Sequence, residues 1–84
     1  MHEPQETYLA AHVREILARD PRVSEPSLRV DVHGRRAHVT GTVPTEERRI
    51  AIDAVIRERF PELEPDNRTT VAEYGSEPRV ERFP

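Results

Sequence analysis

Between Leu28 and Val43 the chain alternates apolar and polar residues, first through Leu28, Val30 and Val32, then through Ala37, Val39 and Val43. A period of two over this length marks strands with one face buried. Between the two runs stands Gly34-Arg35. A Gly-X pair suits a two-residue type II′ turn, whose first position needs a positive φ. That turn predicts Val32 opposite Ala37, Asp31 opposite His38, Val30 opposite Val39 and Arg29 opposite Thr40. Every apolar residue then shares one face and every charged residue the other. A slip of one residue would bury the arginines, so the register is well specified.

The flanking segments change period. From Pro4 or Glu6 to Arg19, the residues Leu9, Val13, Ile16 and Leu17 recur at helical spacing, with Tyr8 and His12 on the margins of the stripe. Glu15 and Arg19 stand at i,i+4 in the favourable order. Asp20-Pro21 ends this helix, because the residue before a proline is pushed out of the α region. Val23 is expected to tuck under the domain, and residues 24–27 to form a loop into the hairpin. After the hairpin, Thr45 is a good N-cap, and Glu46 and Glu47 place negative charge in a first turn. The second helix runs to about Arg59, with Ala51, Ile52, Val55 and Ile56 buried and Asp53 and Arg57 paired on the outside. Ile50 falls nearly opposite the buried stripe, as an ordinary exposed isoleucine or a contact residue. Phe60-Pro61 closes the helix and Leu63 returns to the core. A third, weaker strand is expected from Asn67 to Glu73, with Thr69 and Val71 facing in and Pro65 at its start or on an edge.

The predicted order is α-β-β-α-β: an α+β, two-layer sandwich with two helices on one face of a three-stranded mixed sheet. A helix-length crossover makes strands two and three parallel, with a right-handed connection. The first strand is expected in the middle, where the crossover can span it. Residues 6–73 form one domain. Residues 1–5 and 74–84 are expected to be flexible, with Val80 and Phe83 docking weakly at most.

These residues resemble the BON domain, a bacterial domain named for osmotic-stress and nodulation proteins. Its pattern of roughly Val-x-Leu-x-Gly-x-Val is matched by residues 37–43, with Gly41 at the glycine. A short cap and an Ala-rich helix are matched by Thr45-Glu46 and by Ala51, Ile52, Val55 and Ile56. Val-x-Asn-x-Leu-x-Val is matched by Pro65, Asn67, Thr69 and Val71, and the first-helix exit by Leu17, Asp20, Pro21 and Val23. The likeness covers about residues 9–72. It departs at Pro61-Glu62-Leu63, where the family usually has Gly-Val. The resemblance implies a non-enzymatic binding module, often linked to envelope phospholipid or to the assembly of larger complexes.

Gly41 has a reading of its own. It lies inside strand two on the face turned to the helices, where a side chain would compete with the helix above.

Composition narrows the chemistry. The 84 residues suffice for one small domain, 35% apolar and with two Phe, two Tyr and no Trp, so the core is small and aliphatic. A core of that size leaves room for a stabilising partner surface. There is no cysteine, hence no disulfide framework and no thiolate metal site. All 13 basic residues are Arg, and 16 acids bring the net charge to −3. That balance argues against a nucleic-acid binder, as does the lack of a GXXG clamp or of sheet aromatics that stack bases. No apolar stretch reaches the length of a signal-peptide core, so a cytoplasmic location is expected, or an envelope one if a precursor is trimmed.

His33, His38 and Asp31 offer two imidazoles and a carboxylate on the open side of the hairpin, but at a spacing that matches no familiar metal site. Neither a metal, a cofactor nor a catalytic constellation is expected, and the chain does not read as an enzyme. The candidate site is instead the open sheet face. It carries Arg29, Asp31, Arg36, His38 and, given the expected phase of the third strand, Arg68. Ile50 is a separate apolar candidate, while Gly34, Gly41 and Thr45 are structural. The expected partner is another protein or a second copy of the chain. The alternative is anionic phospholipid, because arginine forks suit phosphate.

Overall fold

The computed structural model describes residues 4–72. Helix α1 (Pro4–Arg19) leads into strands β1 (Arg29–His33) and β2 (Arg36–Thr40) and the short strand β3 (Thr42–Val43). Helix α2 (Glu46–Arg59) and strands β4 (Glu64–Asn67) and β5 (Thr70–Val71) complete it. The architecture is α+β, in the order α-β-β-α-β once the interrupted strands β2/β3 and β4/β5 are each read as one. Of the segments expected to be flexible, residues 4 and 5 lie in α1, whereas residues 1–3 and 74–84, with any docking of Val80 and Phe83, lie outside the described residues, as does the expected strand end at Glu73.

The hairpin has the register its alternation predicts, from Arg29 opposite Thr40 to His33 opposite Arg36. Gly34 has a φ of +62° and Arg35 keeps a negative one, which is the type II′ arrangement. The tip is also tied to α1, because the Gly34 N–H donates to Glu6 Oε2 at 2.8 Å.

Two expectations about the sheet are corrected. The order is β1-β2-β4, so β2 and not β1 is central. The parallel pairing is as expected, β4 with β2 and β5 with β3, and it is the order that differs. The reason is length: β2 and β3 together extend from Arg36 to Val43 and can template the whole return from Glu64 to Val71, whereas β1 has only the five residues Arg29–His33 and reaches no further than Thr40 along β2. The return strand also begins at Glu64, earlier than its residue types suggest, and breaks at Arg68 and Thr69. The N–H groups of Glu64 and Arg68 donate to the Arg35 and Val39 carbonyls at 2.6 and 2.8 Å. Pro65 is out of phase with them, so its missing N–H falls on the outer edge, where proline is tolerated.

Between sheet and helices lies an aliphatic core. Val13 and Leu17 from α1 and Ile52, Val55 and Ile56 from α2 close over Val32, Ala37, Val39 and Val43. Val23, Leu28, Phe60 and Leu63 seal its ends. Ala51 and Val30, like Leu9 and Ile16, are only partly covered. Thr45 caps α2, its hydroxyl accepting from the Arg48 N–H at 3.1 Å. Phe60 ends that helix, and its ring meets His12 edge-on at 5.3 Å.

Gly41 is needed for a different reason from the one its spacing suggests. The strand breaks there, with a φ of +137°, and a Cβ would come within 2.9 Å of Leu28 Cδ2. The competitor is Leu28, at the entrance to β1, and not a helix. The Asp53–Arg57 pair is likewise corrected. Asp53 lies one turn from Arg49, on the flank of α2 whose Arg49 carbonyl meets β4, and its Oδ1 is buried without a hydrogen-bond partner. Helical spacing describes the helix alone and carries no knowledge of the neighbouring strand. Glu15 and Arg19 do pair, at 3.1 Å, in an exposed position where such contacts contribute little.

Candidate binding surface

Both helices lie against one face of the sheet, and the alternation that buries Val32, Ala37 and Val39 turns their neighbours to the other. Arg29, Asp31 and His33 come from β1, and Arg36, His38 and Thr40 from β2. Because Arg36 pairs with Glu64 and His38 with Asp66, the third strand adds Glu64 and Asp66 to the same face. Arg68 follows in phase. The five candidate sheet residues are thus on one surface, with a sixth, Asp66, between His38 and Arg68.

The His38 ring Nδ1 lies 2.8 Å from Asp66 Oδ2. Arg68 Nε donates to the same oxygen at 3.1 Å. The His38 hydrogen bond, helped by the Arg68 charge, holds the Asp66 carboxyl below the usual carboxylate range, so it is ionised at neutral pH. The side chains of His38 and Asp66 are only 29% and 20% exposed, so this pair is the least solvated part of the face. The His33 and His38 rings stand 5.5 Å apart. Arg29, Asp31 and Arg36 have no ion-pair or hydrogen-bond partner for their side chains among the described residues. The surface therefore combines a pinned cluster on β2 and β4 with unengaged charges of both signs on β1 and the hairpin tip.

Ile50 does not join this surface. It is 59% exposed on α2, in the helical layer on the opposite side of the sheet. Tyr8, 78% exposed on α1, is a second large apolar side chain in that layer. Among the described residues no three His, Cys, Asp or Glu side chains come together to hold a metal ion, and no helix is long and apolar enough to cross a membrane.

Asp66 is absent from the sequence-based site because Glu64-Pro65-Asp66 contains no residue that favours a strand. Its place opposite His38 comes from the register of β4, which its own residue types do not mark. Asn67 is a second such residue. Its Nδ2 donates to the Arg49 carbonyl at 2.7 Å, while its Oδ1 accepts from the Thr69 N–H and hydroxyl at 3.1 and 2.6 Å. It fastens the return strand to α2 at the point where the strand breaks. At the far end Arg22 does similar work. It donates to Asp20 and to both Glu58 carboxylate oxygens, linking the exit of α1 to the end of α2. Those bonds hold the Asp20 and Glu58 carboxyls below their ordinary values.

The fold is that of a small two-layer domain with one roofed and one bare sheet face, fixed at the positions of Gly41, Thr45 and Asn67. Residues 5–71 match the BON domain family, and the chain belongs to that family. No curated protein and no solved structure matches it.

Proposed function

We propose that the domain is a small, non-catalytic binding and assembly module that receives a protein partner on its bare sheet face. One observation carries this reading: the face holds both signs of charge, with Arg29, Asp31 and Arg36 unengaged beside the fixed His38–Asp66–Arg68 cluster. Such a mixed surface is complementary to a polar protein surface, where matched charges set register and partner choice. The cluster contributes rigidity and the unengaged charges contribute the contacts.

A second reading has its own support. Arg29 and Arg36 are unengaged guanidinium forks, and forks of this kind grip phosphate oxygens in anionic phospholipid headgroups. Asp31 and the net charge of −3 oppose that use.

Vesicle co-sedimentation separates the two. Under the protein-binding reading the chain stays in the supernatant with anionic and neutral vesicles alike. A pull-down from the host then recovers a defined partner that is lost on Arg29→Glu with Arg36→Glu. Salt-sensitive sedimentation with anionic vesicles, abolished by the same pair, would overturn it in favour of phospholipid.

A further inference from the structure

β1 ends the sheet, and nothing among the described strands pairs with its outer edge. The register says which groups that edge presents. The Arg35 and Val39 carbonyls serve the returning strand, so in β2 the alternate residues Arg36, His38 and Thr40 bond to β1. Their partners His33, Asp31 and Arg29 turn their backbone groups inward. The N–H and C=O of Val30 and Val32 therefore point outward, away from the sheet. An edge of this kind is a template for another strand, and natural domains cover it, distort it or use it.

Beside the edge runs a groove of about 440 Å³, walled by Thr7, Ala10 and Ala11 of α1 and by Val30 and Val32. The small helix residues keep it open, and Val30 is half-buried at its floor. Glu6, bound to the hairpin tip, stands at one end and Arg14 at the other. On the sheet side Asp31 lies toward the tip and Arg29 toward the base. Both wall and strand thus run from acid to base in the same direction. A reversed copy of the same groove is complementary to it in charge.

We propose that the outer edge of β1 pairs with β1 of a second copy, antiparallel about a two-fold axis at Val30. In that register Val30 meets the partner copy's Val30 and exchanges both backbone hydrogen bonds. Arg29 falls opposite the other copy's Asp31, and Asp31 opposite its Arg29, in the non-hydrogen-bonded positions where side chains come closest. The two unengaged charges of β1 are then satisfied reciprocally. Centring the axis on Asp31 sets like charges face to face, and centring it on Val32 sets Arg29 against Arg35. The two sheets join into one, and the bare face becomes continuous across both copies. The pairing draws on Arg29 and Asp31 and leaves Arg36 and the His38–Asp66–Arg68 cluster to a partner of the face, and it is read from the mass of the chain alone, so it stands or falls separately from that partner.

Sedimentation equilibrium of the full chain tests it, because the mass is read without any ligand. The wild type is expected to shift from monomer to dimer as concentration rises. Val30→Pro removes an outward N–H on an edge strand, where proline is tolerated, and is expected to give a monomer. Arg29→Asp alone and Asp31→Arg alone each oppose like charges and are also expected to be monomeric. Mixed in equal amounts, these two variants are expected to form a heterodimer, which also demonstrates that both are folded. A wild type that stays monomeric at all concentrations overturns the proposal. So does a dimer that survives Val30→Pro, or charge variants that fail to recover on mixing.

Discussion

Asn67 reaches from the end of β4 to the backbone carbonyl of Arg49, 2.7 Å away at the close of the first turn of α2. The same side chain accepts from both the N–H and the hydroxyl of Thr69. One amide thus holds the crossover helix, the return strand and the break that follows. Asn67→Ala leaves those half-buried groups unsatisfied and is expected to cost about 1–3 kcal/mol in urea denaturation. Asn67→Asp keeps the acceptor for Thr69 but cannot donate to Arg49, so it is expected to destabilise as well. A neutral result for both would show that the clamp contributes nothing.

The two turn glycines are expected to differ. Gly34 has a φ of +62° with open space around its missing Cβ, so Gly34→Ala carries only the left-handed backbone penalty, about 1–2 kcal/mol. Gly41 has a φ of +137° and Leu28 Cδ2 only 2.9 Å from a Cβ. Gly41→Ala adds, to a backbone cost at least as large, an overpacking cost of about 1–3 kcal/mol. Thermal melts of the two variants should rank Gly41→Ala below Gly34→Ala, and the reverse order would contradict the close approach of Leu28.

Thr45 accepts from the Arg48 N–H at the start of α2, so Thr45→Ala is expected to cost about 1 kcal/mol. Thr45→Ser and Thr45→Asp retain a capping oxygen and should fall within a few tenths of a kcal/mol of the wild type. Chemical denaturation checks the ranking; equal losses in all three variants would place the effect outside the cap.

Asp66 gives the domain an acid-side dependence. Its carboxyl titrates below the ordinary 3.8 in the folded chain, chiefly because of the His38 hydrogen bond. A depressed carboxylate stabilises the fold above its unfolded value and loses that contribution as the pH falls through the folded one. The stability difference between the wild type and Asp66→Asn should therefore shrink as the pH drops below 3.8. A carboxyl NMR titration should find the Asp66 midpoint below 3.8 and see it rise in His38→Ala. A midpoint at or above 3.8 in the wild type would contradict the pairing.

What could be read from the residues was local. The hairpin register follows from alternation around Gly34, α2 begins where Thr45 can cap it, and Val23 and Leu63 are buried as expected. Arg29, Asp31, Arg36 and His38 share a face for the same reason, since one register fixes all four. What could not be read depends on distant parts of the chain. Glu64-Pro65-Asp66 forms a strand because β2 supplies the carbonyls, and not through any preference of its own. With that strand hidden, Asp66 could not be placed beside His38, and the central position of β2 had no local signature. Asp53 shows the same limit from the helix side, because its surroundings are set by the sheet.

The two sides of β2 meet different surroundings, one roofed by helices and one bare, and both the core and the candidate binding surface follow from that difference. The native chain has no cysteine, so a single one introduced by substitution is a unique reporter. Thiol labelling under native conditions of Ala37→Cys, His38→Cys, Val39→Cys and Thr40→Cys, each alone, reads the two faces in turn. Fast labelling is expected at 40 and measurable labelling at 38, with 37 and 39 reacting only as fast as the domain unfolds. Equal rates at neighbouring positions, or fast labelling at 37 and 39, would contradict that difference.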